Sequence, residues 1–117
     1  MTEGELEAIT REYLAAFEAR NLEECMGYYT DESTLEFVTL FQGRAQIEEW
    51  HKARFAAGLR LVRLDRISVD GNKVALDAVA TSKRLRAWRV NSISGTITAV
   101  FEGTKIKEMK FGIRAGG

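Results

Sequence analysis

"REYLAAFEARNLEECMGYYTDESTLEF", residues 11–37, passes from helical to strand periodicity within one short stretch. Its first half continues an upstream pattern. Leu6, Ile9, Tyr13, Leu14 and Phe17 recur at spacings of three and four, which predicts an amphipathic helix over Gly4–Ala19. Thr2 followed by Glu5 fits a capping box at its start. Asn21 can cap a second, short helix carrying Leu22, Cys25, Met26 and Tyr29 on one side. The polar run Thr30–Ser33 breaks the pattern, and Leu35 and Phe37 then alternate as a strand requires.

Downstream, "TLEFVTLF" (34–41) reads as one strand, with Leu35, Phe37 and Thr39 on one face and Glu36, Val38 and Leu40 on the other. Gly43 opens a third helix whose inward stripe is Ile47, Trp50, His51, Arg54 and Phe55, and Gly58 stops it. From Leu59 the texture is β. Strands are predicted over 59–69, 73–85 and 87–102, the last bulged near Asn91–Gly95. "DGN" at 70–72 and "GTK" at 103–105 make the turns. A closing strand sets Ile106, Glu108 and Lys110 against Lys107, Met109 and Phe111. Three N-terminal helices packed on a curved, mostly antiparallel sheet make a cone-shaped α+β roll, a single domain over 1–117.

Composition excludes several functions. Lys plus Arg equals Asp plus Glu at 17 each, which argues against a general nucleic-acid or anionic-membrane surface. One cysteine, Cys25, precludes an intramolecular disulfide and a cysteine-rich zinc site; it reads as a small core hydrophobe and suits a cytoplasmic protein. "MTEGELEAITREYLAAF" has no apolar h-region, and no later stretch is long enough to span a membrane. Proline is absent, so no helix is stopped by one. Neither a glycine-rich phosphate loop nor a metal-ligand cluster is present, so no cofactor or metal is expected.

Four phrases carry a family resemblance: the opening stretch, "FQGRAQIEEW" (41–50), "DGNKVAL" (70–76) and "FEGTKIKEMKFG" (101–112). Together they resemble the nuclear transport factor 2-like superfamily, in its SnoaL-like and ketosteroid isomerase-like branch, over nearly the whole chain. The resemblance implies a pocket between the helices and the concave sheet, holding a small apolar molecule. It also includes members that only dimerise or scaffold, so fold alone does not assign an activity.

Ketosteroid isomerase-like members use a helix-one tyrosine, a carboxylate base on the first strand and a protonated acid on a later strand. By resemblance Tyr13 matches the tyrosine, but the base position falls on Phe37 and the second acid near Ile97. Hydrocarbon cannot shuttle a proton, so steroid-type isomerisation is rejected. The Asp–Arg–Asp set of limonene epoxide hydrolase-like members has no counterpart, because alternation points Asp77 away from the pocket. SnoaL-like cyclases take an Asp and a His from the sheet, where this chain has no histidine.

His51 is the only histidine. The same alignment brings it to Tyr13 and Tyr29 in one polar cluster at the pocket base. The plainer reading is a core histidine that satisfies a buried tyrosine hydroxyl; the sharper one makes His51 a base and Tyr13 a donor in a carbonyl isomerase or cyclase. The expected pocket adds Phe17, Leu35, Phe37 and Trp50 from the first half of the chain. The sheet contributes Leu76, Ala78, Ile97, Ala99 and Phe101. Trp50 and Trp88 read as core or dimer packing before ligand platforms, and "SKRLRAWR" (82–89) as a solvated strand face or interface rim. The expectation is a small-molecule-binding protein for a ligand with at most one hydrogen-bonding group, meeting Tyr13 or His51. A homodimer would cover an outer sheet face carrying Val62, Leu64 and Val79. A scaffold with a filled core is the third alternative.

Overall fold

A computed structural model describes residues 2–89 and 92–113. The order is α1 (Glu3–Glu18), α2 (Leu22–Met26), β1 (Tyr29–Phe37), β2 (Thr39–Gln42), α3 (Gly43–Ala56), β3 (Arg60–Asp70), β4 (Lys73–Thr81), α4 (Lys83–Ala87), β5 (Ile93–Glu102) and β6 (Lys105–Ile113). The strands form one six-stranded sheet in the order β2-β1-β6-β5-β4-β3, with only β1 and β6 parallel. That open, curved sheet and the helices packed on it are the α+β roll expected from the periodicity.

The local signals explain where the helices start. Thr2 accepts from the Glu5 backbone N–H at 3.1 Å, and Asn21 accepts from Glu24 N–H at 3.1 Å, each satisfying an orphan donor of a first turn. Both α1 and α3 bury their apolar stripe: Leu6, Tyr13, Leu14 and Phe17 from one, Ile47, Trp50 and His51 from the other. The concave side of the sheet supplies Val74, Leu76, Ala78, Ile97, Ala99 and Phe101 to the same core. Glu18 then ties α1 to the sheet, accepting from Arg60 Nε at 3.0 Å and from the Leu61 backbone N–H.

Four strand expectations are corrected. "TLEFVTLF" is two strands, folded back at Val38, which adopts φ +65° so that Phe37 pairs with Thr39. The strand expected over 73–85 ends at Thr81, and Ser82 Oγ accepts from Leu85 N–H at 3.2 Å to start α4; "SKRLRAWR" is therefore mostly helical. The strand expected from Ala87 begins at Ile93. Of its expected bulge, Asn91 lies outside the described residues, and from Ile93 the pairing with β4 is unbroken. The shift falls instead between Val100 and Phe101 against β6, which lets both Ile106 and Met109 face the core and ends strict alternation there.

The outer face is also corrected. Shifts in β3 between Leu61 and Arg63 pair Leu64 with Ala78 on the concave side, where it packs against the core. Val62 is left 62% exposed, and Val79 pairs with Arg63.

Candidate functional site

Two regions hold the sequence-predicted site residues. The first lies in the middle of the core. Tyr13 on α1, Tyr29 at the start of β1 and His51 on α3 come together, all at most 1% exposed. Tyr29 Oη donates to Tyr13 Oη at 2.7 Å, Tyr13 Oη lies 2.7 Å from His51 Nε2, and His51 Nδ1 lies 2.8 Å from the Ile47 carbonyl. A carbonyl only accepts, so Nδ1 carries the proton and donates to Ile47. In the neutral ring Nε2 is then the acceptor, and the Tyr13 hydroxyl donates to it. One chain of donation results: Tyr29 to Tyr13 to His51 to the Ile47 carbonyl.

Electrostatics favour the neutral forms throughout. Burial lowers the His51 pKa from its ordinary value, against smaller opposing effects of Ile47 and Glu48. Burial raises Tyr13 well above its ordinary value, reinforced by Tyr29, and raises Tyr29 as well. Aromatic edges surround the chain: Phe17 and Phe55 approach the His51 ring at 5.8 and 6.0 Å, and Trp50 at 5.0 Å. Cys25, fully buried, has its thiol pushed up to about 12 by burial and the nearby Glu24, which makes it an inert packing group.

The second region is an apolar cleft of about 60 Å³ at one end of the sheet, where β1 and β6 finish and β5 begins. Phe37, Trp50 and Phe111 form its aromatic wall. Trp50 and Phe111 stack at 5.0 Å and 28°, and Phe37 meets Trp50 edge-on at 5.9 Å. Leu59, Leu61, Ala78, Ala80, Ile93 and Ile97 add hydrocarbon lining, Ser94 and Thr96 stand beside them, and Ile113, 61% exposed, is also a lining residue. A Cβ added at Gly95 would run into the Gly112 carbonyl oxygen, so glycine lets β5 and β6 approach closely beside the cleft.

Of the expected pocket residues, Phe37, Trp50, Ala78 and Ile97 line this cleft. Tyr13, Phe17, Tyr29, Leu35, His51, Leu76, Ala99 and Phe101 are packed core that does not line it. Sequence reading missed the rest of the lining, including Leu59, Leu61, Ala80, Ile93 and Phe111; for Ala80 and Phe111, alternation from Ala78 and Met109 carries the signal. Asp77 faces the convex side, 3.8 Å from Arg66, and Glu36 is exposed 3.6 Å from Lys110; neither carboxylate lines the cleft. Trp88 is 68% exposed and so does not belong to the core. Among the described residues there is no group of three metal-ligating side chains, and no helix is long and apolar enough to cross a membrane.

Solved structures of the same fold cover almost the whole chain. One is the epoxide hydrolase/cyclase-like enzyme SalBIII, with a role in pyran ring formation in the polyether salinomycin. It is 20% identical with a TM-score of 0.84, covering 97% of this chain and 93% of its own. A provisionally assigned ketosteroid isomerase from Kribbella flavida is 14% identical with a TM-score of 0.82, over 98% and 82%. A de novo designed protein with a curved β-sheet is 15% identical with a TM-score of 0.78, over 98% and 89%. At these identities the likeness concerns the fold, and the fold here is the nuclear transport factor 2-like one. No curated protein sequence matches the chain significantly. Residues 10–109 match the model of the SnoaL-like domain, and the chain belongs to that family.

Proposed function

We propose that this SnoaL-like domain binds a small, uncharged, largely apolar molecule in the cleft walled by Phe37, Trp50 and Phe111. The cleft itself carries the reading: none of the residues lining it is charged, and its surface is almost entirely hydrocarbon. At about 60 Å³ it takes a short chain, being smaller than the roughly 150 Å³ that holds a benzene ring. Tyr13 and His51 favour a second reading, a carbonyl isomerase or cyclase, because they are in hydrogen-bond contact. That reading ranks lower: the Tyr13 proton already has an acceptor in His51, and neither residue lines the cleft.

Calorimetric titration with 1-butanol, a short chain of the size the cleft takes, tests the first reading. Saturable binding by the native protein that is lost in Ala80→Leu, where the added side chain fills the cleft, supports it. Absence of binding, or binding that Ala80→Leu leaves intact, overturns it. A homodimer through the convex sheet face, where Val62 is exposed, is a further part of the proposal. Sedimentation of the native protein against Val62→Lys checks it.

A further inference from the structure

The charges of this chain balance as a total and are segregated along it. Residues 78–101 hold four cations, Lys83, Arg84, Arg86 and Arg89, and no carboxylate, whereas residues 1–36 hold ten carboxylates and two side-chain cations. The balance that argued against an anionic partner is an average over unequal regions. The fold sets the cationic stretch at one end of the sheet. Lys83 donates its backbone N–H to the Ala57 carbonyl at 3.2 Å, and its side chain crosses Gly58, where an added Cβ would lie 3.0 Å from Lys83 Cγ. That contact holds α4 against the turn between α3 and β3. Lys83, Arg86 and Arg89 are exposed and make no ion pair among the described residues. Where β3 pairs with the end of β4, Glu18 is taken by Arg60 and Asp65 by Arg63. Trp88 continues the same surface turn, its backbone N–H bonded to the Leu85 carbonyl at 3.1 Å, and is 68% exposed, whereas Trp50 is 3% exposed.

We propose that α4 and the turn carrying Trp88 form a docking surface for an anionic lipid bilayer. Unpaired cations complement acidic headgroups, and an indole settles at the boundary between headgroups and acyl chains, with its ring toward hydrocarbon and its N–H toward water. A duplex nucleic acid would match the cations and give the indole no apolar phase. With five residues α4 is far too short to cross a bilayer, so the contact is peripheral. Docking does not depend on what the cleft holds.

Co-sedimentation with extruded vesicles, of phosphatidylcholine alone or mixed with phosphatidylserine, reads the affinity. The native protein should bind the mixed vesicles and not the neutral ones, and added salt should release it. Arg86→Glu reverses one exposed charge and should weaken binding roughly twentyfold, at about fivefold for each unit of charge. Lys107→Glu makes the same reversal at an exposed site near the start of β6 and should change binding less than about twofold. Fluorescence of the native protein gives a reading that needs no charge variant. Mixed vesicles should move the Trp88 emission to shorter wavelength, and Trp88→Phe should abolish the shift, because Trp50 is already buried. The proposal is overturned by no binding to mixed vesicles, by equal binding to neutral ones, or by binding without an emission shift. Equal losses in Arg86→Glu and Lys107→Glu overturn it too. So does tighter binding to duplex DNA than to mixed vesicles at the same salt, which would assign the patch to nucleic acid.

Discussion

The core chain and the cleft are both made of aromatic rings with a few polar atoms, and they end in opposite chemical states. In the core, Tyr29, Tyr13 and His51 hand each proton to the next acceptor, and the sequence closes on a backbone carbonyl. Beside them, Trp50 holds a buried indole donor without a hydrogen-bond partner among the described residues. The two regions touch, since the Trp50 and His51 rings meet edge-on at 5.0 Å. A histidine next to a tyrosine therefore marks self-sufficiency here, while the neighbouring tryptophan keeps an unpartnered donor. Polar satisfaction, not residue type, separates a structural group from one that waits for a partner.

The largest effect should come from His51→Ala. It removes a fully packed ring and strands the Tyr13 hydroxyl, so stability should drop on the order of 3–5 kcal/mol in urea denaturation. Next, Tyr13→Phe should cost about 2–3 kcal/mol, since it leaves both the Tyr29 hydroxyl and His51 Nε2 without a partner. Tyr29→Phe, at the end of the chain, should cost about 1 kcal/mol. Equal losses in these two variants would break the one-way donation chain. Ala80→Leu, in the cleft, should change stability by less than about 1 kcal/mol, because open space receives the side chain. A large loss there would show the cleft to be sealed core.

The smallest effect expected is a pH dependence. Burial holds His51 below its ordinary value of 6.5, so the unfolded chain takes up a proton that the folded chain resists. Stability from this group is full above that value and is lost as pH falls below it. The denaturation midpoint of native protein should decline from about pH 7.5 to about pH 5.5, and His51→Gln should flatten the decline. An equal slope in the two proteins would assign the dependence to other groups.

Particular residues show how far the sequence could be read. Tyr13, Tyr29 and His51 were expected together, and they are, because helical spacing fixes which side of α1 and α3 faces inward and the family resemblance supplies the pairing. Asp77 was expected to point away from the concave face, and alternation within β4 puts it there. The hairpin at Val38 was not legible, since a valine at φ +65° contradicts its own backbone preference. Leu64 was assigned to the wrong face because a shift in β3 changes which residues oppose β4. The α4 start at Ser82 did carry a signal, a serine that caps the turn ahead of "KRLRA", overridden by the strand pattern before it.

Periodicity is a local property, and by itself it determined the first three helices, their inward faces and most of the strands, while the family resemblance supplied the absence of acids at Phe37 and Ile97. Tertiary structure alone decided where space remains. Cleft volume depends on how β5 and β6 close at Gly95 and Gly112, and on how Phe111 stacks over Trp50. Whether a donor is satisfied depends on atoms brought from three separate elements to within 3 Å, a condition that no spacing along one chain segment encodes.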